Sequence, residues 1–155
     1  MAEGAFPFEI VEVTDRDGRL RDERWLLAAE AVHRQLRPQL PSDYAAKMAR
    51  VFAGGGRMLI AKSGEQVFGV AVWRATENTF SGRYLYVDDL VTDADTRSRG
   101  VGKALLARCE AIARELSCAD LVLDSGVQRE QAHKFYFREG LTISAFNFKK
   151  PLLRR

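Results

Sequence analysis

The chain of 155 residues is poor in the residues that most often bind metals. It has two cysteines, Cys109 and Cys118, and two histidines, His33 and His133. Neither pair has metal-ligand spacing, so we expect reduced structural thiols and no metal site. The sequence also lacks a long apolar run, which predicts neither a signal peptide nor a membrane span and favours a cytoplasmic protein without a membrane partner.

A large excess of charge of one sign is missing as well. The formal net charge is +3, and much of the basic excess lies in Lys149, Lys150, Arg154 and Arg155 at the C-terminus. Elsewhere acidic and basic residues alternate along the predicted helices, whereas a nucleic-acid binder shows a basic stripe interleaved with aromatic side chains. We therefore expect no nucleic-acid partner.

The length and the hydrophobic content of 46% predict one domain over residues 1–155. Apolar spacing predicts an α/β order of elements, in which a strand, a helix and a second strand form a parallel crossover within a mixed sheet. The predicted strands are Phe8–Val13, Met58–Lys62, Val67–Arg74, Tyr84–Thr92, Leu121–Leu123 and Thr142–Phe148, and the predicted helices begin near Asp22, Ser42–Asp43, Gly100 and Arg129.

The segment Arg97–Gly102 is the most informative part of the sequence. It lies between a buried strand and a long helix, and its glycines let the backbone approach an anion closely. The helix N-terminus supplies unpaired amides, and Arg97, Arg99 and Lys103 add positive charge. The segment therefore predicts a pyrophosphate-binding loop.

Two common phosphate motifs do not fit this loop. Ala104 follows Gly102-Lys103 where a nucleotide-binding P-loop needs a hydroxyl for magnesium, and Leu105 stands where a dinucleotide fingerprint needs its third glycine. The remaining pattern, Arg97-x-x-Gly100-x-Gly102, resembles the acetyl-CoA loop of the GNAT N-acetyltransferases. A second motif supports this likeness, with Ala132, Phe135 and Tyr136 on a short helix and then Gly140-Leu141 before the next element.

The resemblance covers residues from about 57 to 150 closely and the N-terminal third loosely. It implies a single-domain GNAT fold, in which about four helices flank a mixed sheet of about six to seven strands. Residues from about 1 to 56 would form the acceptor side and residues from about 57 to 150 the acetyl-CoA core. It also implies a homodimer. The implied cofactor-binding residues are Leu90, Val91, Thr92, Arg97, Ser98, Arg99, Gly100, Val101, Gly102 and Lys103.

Acetyl transfer to an amine requires a neutral nucleophile and a proton for the departing thiolate. Asp88 and Asp89 are the candidate bases, and Asp88 is preferred, because family members carry acidic residues on this strand. Adjacent strand residues point to opposite faces, so only one of the two enters the cleft unless a bulge intervenes. A base role requires burial to raise the aspartate pKa; the alternative is a structural ion pair with an arginine such as Arg83.

Tyr136 is the candidate general acid, because a phenol with a pKa of about 10 can protonate a thiolate. The alternative is a tyrosine that only packs in the core. One departure from the family is Arg129, which replaces an asparagine that contacts the cofactor in many members.

The resemblance implies an N-acetyltransferase that moves an acetyl group from acetyl-CoA to a primary amine, and the favoured acceptor is a small molecule. The segment Gln128–Lys149 is similar to the aminoalkylphosphonate N-acetyltransferases. Two alternatives stay open: a protein lysine or N-terminal acetyltransferase, and a non-catalytic acyl-CoA-binding sensor. Four arginines of the first helical region suit an anionic amine or are simply solvated, namely Arg21, Arg24, Arg34 and Arg37.

Overall fold

The structure is a computed structural model that describes residues 6–154. Within these residues one compact unit ends at Leu123 and a second begins at Asp124, and the two are described separately. The single-domain organisation expected from the chain length stays a prediction. Glu3 and Arg155, at the two ends of the sequence, lie outside the described residues.

The first unit contains one five-stranded sheet in the order β1-β2-β3-β4-β5. All neighbouring strands are antiparallel except β4 and β5, which are parallel and joined through a helix, as the sequence predicts. The elements are β1 (Glu9–Glu12), α1 (Glu23–Leu36), α2 (Tyr44–Ala53), β2 (Arg57–Ser63), β3 (Gln66–Asn78), β4 (Gly82–Thr92), α3 (Val101–Glu115) and β5 (Asp120–Leu123), with a short 3-10 turn at Ala94–Thr96.

The first two helices begin where their capping residues predict. The Asp22 carboxylate accepts a hydrogen bond from the backbone N–H of Arg24, and Asp43 accepts one from Ala46. Such caps satisfy amides that the first turn leaves without partners. Helix α1 ends before Pro38, which has no N–H to continue the helical hydrogen bonds.

The sheet separates two cores. Helices α1 and α2 cover one face with Leu26, Ala29, Tyr44 and Met48, which pack on strand residues such as Val70. Helix α3 covers the other face, where Val101, Leu105, Cys109 and Ile112 pack against residues that include Trp73, Leu85 and Val87. Strand β4 is therefore covered on both sides, which explains its nearly continuous apolar sequence.

The second unit contains α4 (Glu130–Arg138), which is followed by Gly140 at a φ of 88°. The predicted strand Thr142–Phe148 is wrong, because the described residues after α4 include no strand. Ile143, Phe146 and Phe148 are instead exposed. High β propensity forms a strand only where a neighbouring strand pairs with it, so the described sheet has five strands instead of six or seven.

Candidate active site

Asp88 occupies a β-bulge in the middle of β4. Trp73 of β3 pairs with Val87 and the preceding Val72 pairs with Asp89, so Asp88 is the extra residue. An extra residue breaks the alternation of side chains along a strand. Both carboxylates therefore lie on the face covered by α1 and α2, because Asp88 contacts Arg74 and Asp89 contacts helix α1.

Asp89 is fixed by a buried polar network. His33 Nε2 lies 2.7 Å from Asp89 Oδ2, and Arg37 Nε donates to Oδ1 over 2.7 Å. The other ring nitrogen of His33, which is 1% exposed, lies 2.8 Å from the Tyr44 hydroxyl. Burial raises the pKa of Asp89, but the hydrogen bonds and charges of His33 and Arg37 outweigh it and hold the pKa below 3.8.

The direction of this pKa shift bears on the role of Asp89. A base role requires a raised aspartate pKa, and the pKa of Asp89 is lowered. His33 is the centre of this network, because its two ring nitrogens lie beside Tyr44 and Asp89. Its position four residues before Arg37 places both side chains on one side of α1, a spacing that could have indicated a shared partner.

Asp88 forms a two-point ion pair with Arg74 of β3. Arg74 Nε donates to Oδ2 over 3.0 Å, and Nη2 donates to Oδ1 over 2.6 Å. The Arg74 guanidinium also lies 5.9 Å above the Tyr86 ring centroid. An arginine partner for an aspartate was expected, but Arg74 takes the place of the suggested Arg83.

A cavity of about 380 Å³ lies beside this ion pair, on the same face of the sheet. One wall is the turn after α2, and the others come from the paired strands β3 and β4. No motif in the sequence predicted this cavity. The lining residues are Gly54, Gly55, Arg74, Ala75, Thr76, Tyr84 and Tyr86.

The predicted phosphate loop leads directly into helix α3. Gly100 begins the helix with a φ of 82°, and Ser98 has a φ of 64°. No side chain caps this helix start in the described part of the chain. The positive φ at Gly100 explains the glycine, because residues with a Cβ are strained there.

The cations of this loop are available to a ligand. Arg97, Ser98, Arg99 and Lys103 are exposed, and within residues 6–154 no carboxylate forms an ion pair with any of the three cations. The Arg99 guanidinium lies 5.4 Å from the Phe6 ring centroid. Val101 differs from these residues, because its side chain is buried and only its backbone can serve a ligand.

Strand β4 has an open backbone edge next to the bulge. The parallel pairing with β5 runs from Tyr84 to Val87 and stops there. From Asp88 to Thr92, β4 pairs only with β3 among the strands of the first unit. The backbone direction alternates along β4, and Asp93 N–H donates to the carbonyl oxygen of Phe68 in β3. The backbone groups of Leu90 and Thr92 therefore point away from β3, whereas those of Val91 point toward it.

Tyr136 lies on α4 in the second unit. Burial raises the pKa of its phenol above 10, and the nearby Arg129 opposes that shift. Arg129 is the N-terminal flanking residue of α4 and forms no side-chain cap there. His133 Nε2 lies 2.9 Å from the carbonyl oxygen of Gly126, a contact typical of a structural histidine.

The four arginines considered for an anionic acceptor are all engaged in ion pairs. Each has a carboxylate partner in the first unit, and Arg34 also donates to the carbonyl oxygens of Leu40 and Pro41. The pairs are Arg21–Glu12, Arg24–Asp22, Arg34–Glu30 and Arg37–Asp89.

Residues 6–154 contain neither a metal-binding cluster nor a membrane-spanning helix. No cluster of three or more histidine, cysteine, aspartate or glutamate side chains there could hold a metal ion. No helix in the same range has the length and apolar character needed to cross a membrane.

The fold and the loop define an α/β domain with a cationic helix start at an open strand edge. Residues 20–140 match the profile of the Acetyltransferase (GNAT) family. The protein therefore belongs to the GNAT family, as the two sequence motifs indicated.

Two curated relatives share part of the sequence. The chain is 43% identical over 72 residues to the uncharacterized N-acetyltransferase YhdJ of Bacillus subtilis, which covers 46% of this chain and 51% of that protein. It is 36% identical over 66 residues to the aminoalkylphosphonate N-acetyltransferase of Salmonella typhimurium, which covers 43% of each protein. The matched region thus spans about half the length of these relatives.

Solved structures confirm the fold. The aminoglycoside N-acetyltransferase AAC(6')-Iy, solved in complex with CoA, superposes with a TM-score of 0.81 at 17% identity over 99% of both chains. An acetyltransferase of Trypanosoma brucei gives a TM-score of 0.76 at 21% identity, with 94% of this chain and 100% of that chain covered. At these identities the likeness establishes the GNAT fold alone.

Proposed function

We propose that the protein transfers the acetyl group of acetyl-CoA to a primary amine of a small molecule. The main support for this proposal is that two features occur next to each other in the chain. Unpaired cations surround an uncapped helix start, and the open edge of β4 precedes that loop in the chain. In acetyl-CoA, the pyrophosphate would bind at the cationic helix start, and the long arm that carries the thioester would lie along the edge of β4.

The proposed cofactor contacts follow from this arrangement. The backbone amides of residues 100–103 and the side chains of Arg97, Ser98, Arg99 and Lys103 bind the pyrophosphate. The outward backbone groups of Leu90 and Thr92 hold the arm of acetyl-CoA, whereas Val91 contributes only its position on the strand because its backbone groups face β3. These contacts fit the described part of the chain, because no side chain caps the start of α3 and no carboxylate forms an ion pair with Arg97, Arg99 or Lys103 there.

Acetyl-CoA supplies the activated acyl group, and the protein residues manage charge and protons. Of the two candidate amides, Leu90 and Val91, the Leu90 amide faces outward, so it donates to the thioester carbonyl oxygen and stabilises its developing negative charge. Asp88 accepts the proton that the ammonium must lose before the nitrogen can attack. As the carbon–sulfur bond breaks, Tyr136 donates its phenolic proton to the departing thiolate, and the second proton that the acetylated nitrogen loses restores the phenol through solvent. Asp89 anchors α1 to β4 through Arg37 and His33.

The cavity supports a small acceptor. Its volume of about 380 Å³ is at the low end of the range for small-molecule sites. A protein substrate would need a groove that accepts an extended chain. One observation favours a non-catalytic acyl-CoA sensor instead: both Asp88 and Asp89 already form ion pairs with arginine side chains.

Mass spectrometry of reaction products tests the proposal. The protein is incubated with acetyl-CoA and a panel of small primary amines, lysine peptides and peptides with free N-termini. Acetylation of a small amine supports the proposal, and acetylation of peptides alone favours the protein acetyltransferase. Acetyl-CoA binding without any acetylated product favours the sensor.

The homodimer and the cytoplasmic location implied above also stay proposals. The exposed apolar side chains Ile143, Phe146 and Phe148 follow one another closely in the sequence and could be covered in a dimer. Sedimentation equilibrium tests this point. A monomer at micromolar concentration would contradict it.

A further inference from the structure

We infer that the cavity beside Asp88 accepts a zwitterion, namely a small molecule that carries one primary amine and one acidic group a few bonds away. This inference deepens the proposed function and depends on it for the location of the acceptor. It rests on the charges of the cavity walls and on the geometry of Arg74.

The cavity is bordered by one cation and one anion. Of its seven lining residues only Arg74 carries a charge, and the others are glycine, alanine, threonine and tyrosine. The anion is Asp88, which Arg74 contacts directly. A ligand with one positive and one negative group matches these two charges. The two wall charges are in contact, so the two ligand groups must also be close together.

The guanidinium of Arg74 is held so that it can bind a second anion. Asp88 occupies Nε and Nη2, whereas Nη1 has no hydrogen-bond partner among residues 6–154. The side chain is 49% exposed, and its contact with Tyr86 fixes the plane of the guanidinium. Arginine binds carboxylate, phosphate and phosphonate oxygens strongly because several N–H groups point outward in a fixed plane.

The same charges disfavour a polycation. An aminoglycoside or polyamine carries several ammonium groups, and each needs a nearby acid or open water. Asp88 is the carboxylate that contacts the cavity lining, and Arg74 would repel further cations. This chain therefore differs in acceptor from the aminoglycoside acetyltransferase that shares its fold.

A matched set of acceptors tests the inference. We would measure kcat/KM with aminoethylphosphonate, β-alanine, ethylamine and spermidine. A charge-assisted hydrogen bond contributes about 1.5 to 3 kcal/mol, so the two zwitterions should exceed ethylamine by about ten- to a hundredfold. The ratio of phosphonate to carboxylate identifies the preferred acidic group. Equal or better use of ethylamine or spermidine would overturn the inference.

Charge reversal at Arg74 gives a readout that loss of structure alone cannot produce. Arg74→Glu should raise KM for aminoethylphosphonate at least tenfold and make ethylenediamine the better acceptor. Arg83→Glu is the matched control, because Arg83 lies on the same hairpin, is exposed and does not line the cavity. A parallel loss with every acceptor in Arg74→Glu would overturn the assignment.

Failure of this inference differs from failure of the proposed function. Turnover of spermidine in preference to both zwitterions overturns the inference and leaves the transferase standing. If no acceptor is acetylated, isothermal calorimetry should measure whether aminoethylphosphonate binds to the CoA-saturated protein. Binding that Arg74→Glu abolishes supports the cavity assignment and overturns the transferase, whereas absence of binding overturns the inference.

Discussion

Asp88 and Asp89 are neighbours in β4, yet both carboxylates lie on the same face of the sheet. The bulge at Asp88 causes this placement and gives the two residues different surroundings. Asp89 is enclosed by His33 and Arg37, whereas Asp88 meets Arg74 at the cavity. We therefore expect Asp88 to act as the general base and Asp89 to stabilise the folded structure.

Substitution of each aspartate by asparagine separates these roles. Asp88→Asn should lower kcat by about a hundredfold or more, because a general base contributes roughly that factor, and should change stability by about 1 kcal/mol or less. Asp89→Asn should mainly destabilise the protein. Steady-state kinetics and urea unfolding of both variants test this division. A larger loss of kcat in stable Asp89→Asn would reverse the assignment.

The pH dependence of stability should depend on Asp89. Its pKa is lowered in the folded protein, so its contribution is present above the ordinary pKa of 3.8 and is lost as the pH falls through the folded value. Asp89→Asn should cost about 3 kcal/mol at pH 7, because it breaks a largely buried pair. The difference in the free energy of unfolding between the wild type and Asp89→Asn should become smaller as the pH falls toward about 3.

Asp95→Asn is the control for this experiment. Asp95 is exposed, and the structure gives it no ion pair among the described residues. Its free energy of unfolding should follow the wild type at every pH. A gap for Asp89→Asn that stays constant from pH 7 to about pH 3 would contradict an ionised, stabilising Asp89.

The cations before α3 should govern CoA affinity. Arg99→Glu and Lys103→Glu should each weaken CoA binding by about tenfold or more, with a loss that shrinks at high salt, because the charges meet a polyanion. Isothermal calorimetry at two salt concentrations measures both effects. Arg83→Glu provides the same charge change outside the loop and should bind like the wild type. If Arg99→Glu and Lys103→Glu bound CoA as tightly as the wild type and Arg83→Glu do, the loop would not be part of the cofactor site.

Gly69 of β3 lets α3 pack closely against the sheet. A Cβ at this position would lie 2.6 Å from Val101 Cγ1 and 2.8 Å from Leu105 Cδ1. Gly69→Ala should therefore displace the start of α3, cost about 1 to 3 kcal/mol and weaken CoA binding. Gly54→Ala is the control, since its nearest contacts are an ordinary 3.5 Å. Thermal unfolding and calorimetry compare the two variants, and similar stabilities would refute the packing argument.

Local signals in the sequence predicted most of the fold. Asp22 and Asp43 predicted the helix starts correctly, because capping depends on residues within one turn. The strand expected at Thr142–Phe148 failed because pairing depends on distant residues. The exposed end of β3 at Asn78 was also missed, since its polar residues carry no apolar alternation.

The candidate site was only partly predictable. The cofactor loop is contiguous in sequence, so its glycines and cations could be recognised together. The contacts Arg74–Asp88 and His33–Asp89 join residues from different elements, and they depend on the strand register and on the bulge. No local pattern encodes that register shift. The cavity went unnoticed for the same reason.

Release of free CoA thiol from acetyl-CoA is the most direct test of the central claim. The account predicts release that depends on a small amine and matches the amount of acetylated amine formed. Tyr136→Phe should lower this rate by about a hundredfold or more while the protein stays folded, because the departing thiolate loses its proton donor. Absence of amine-dependent release from protein that binds acetyl-CoA would contradict the account.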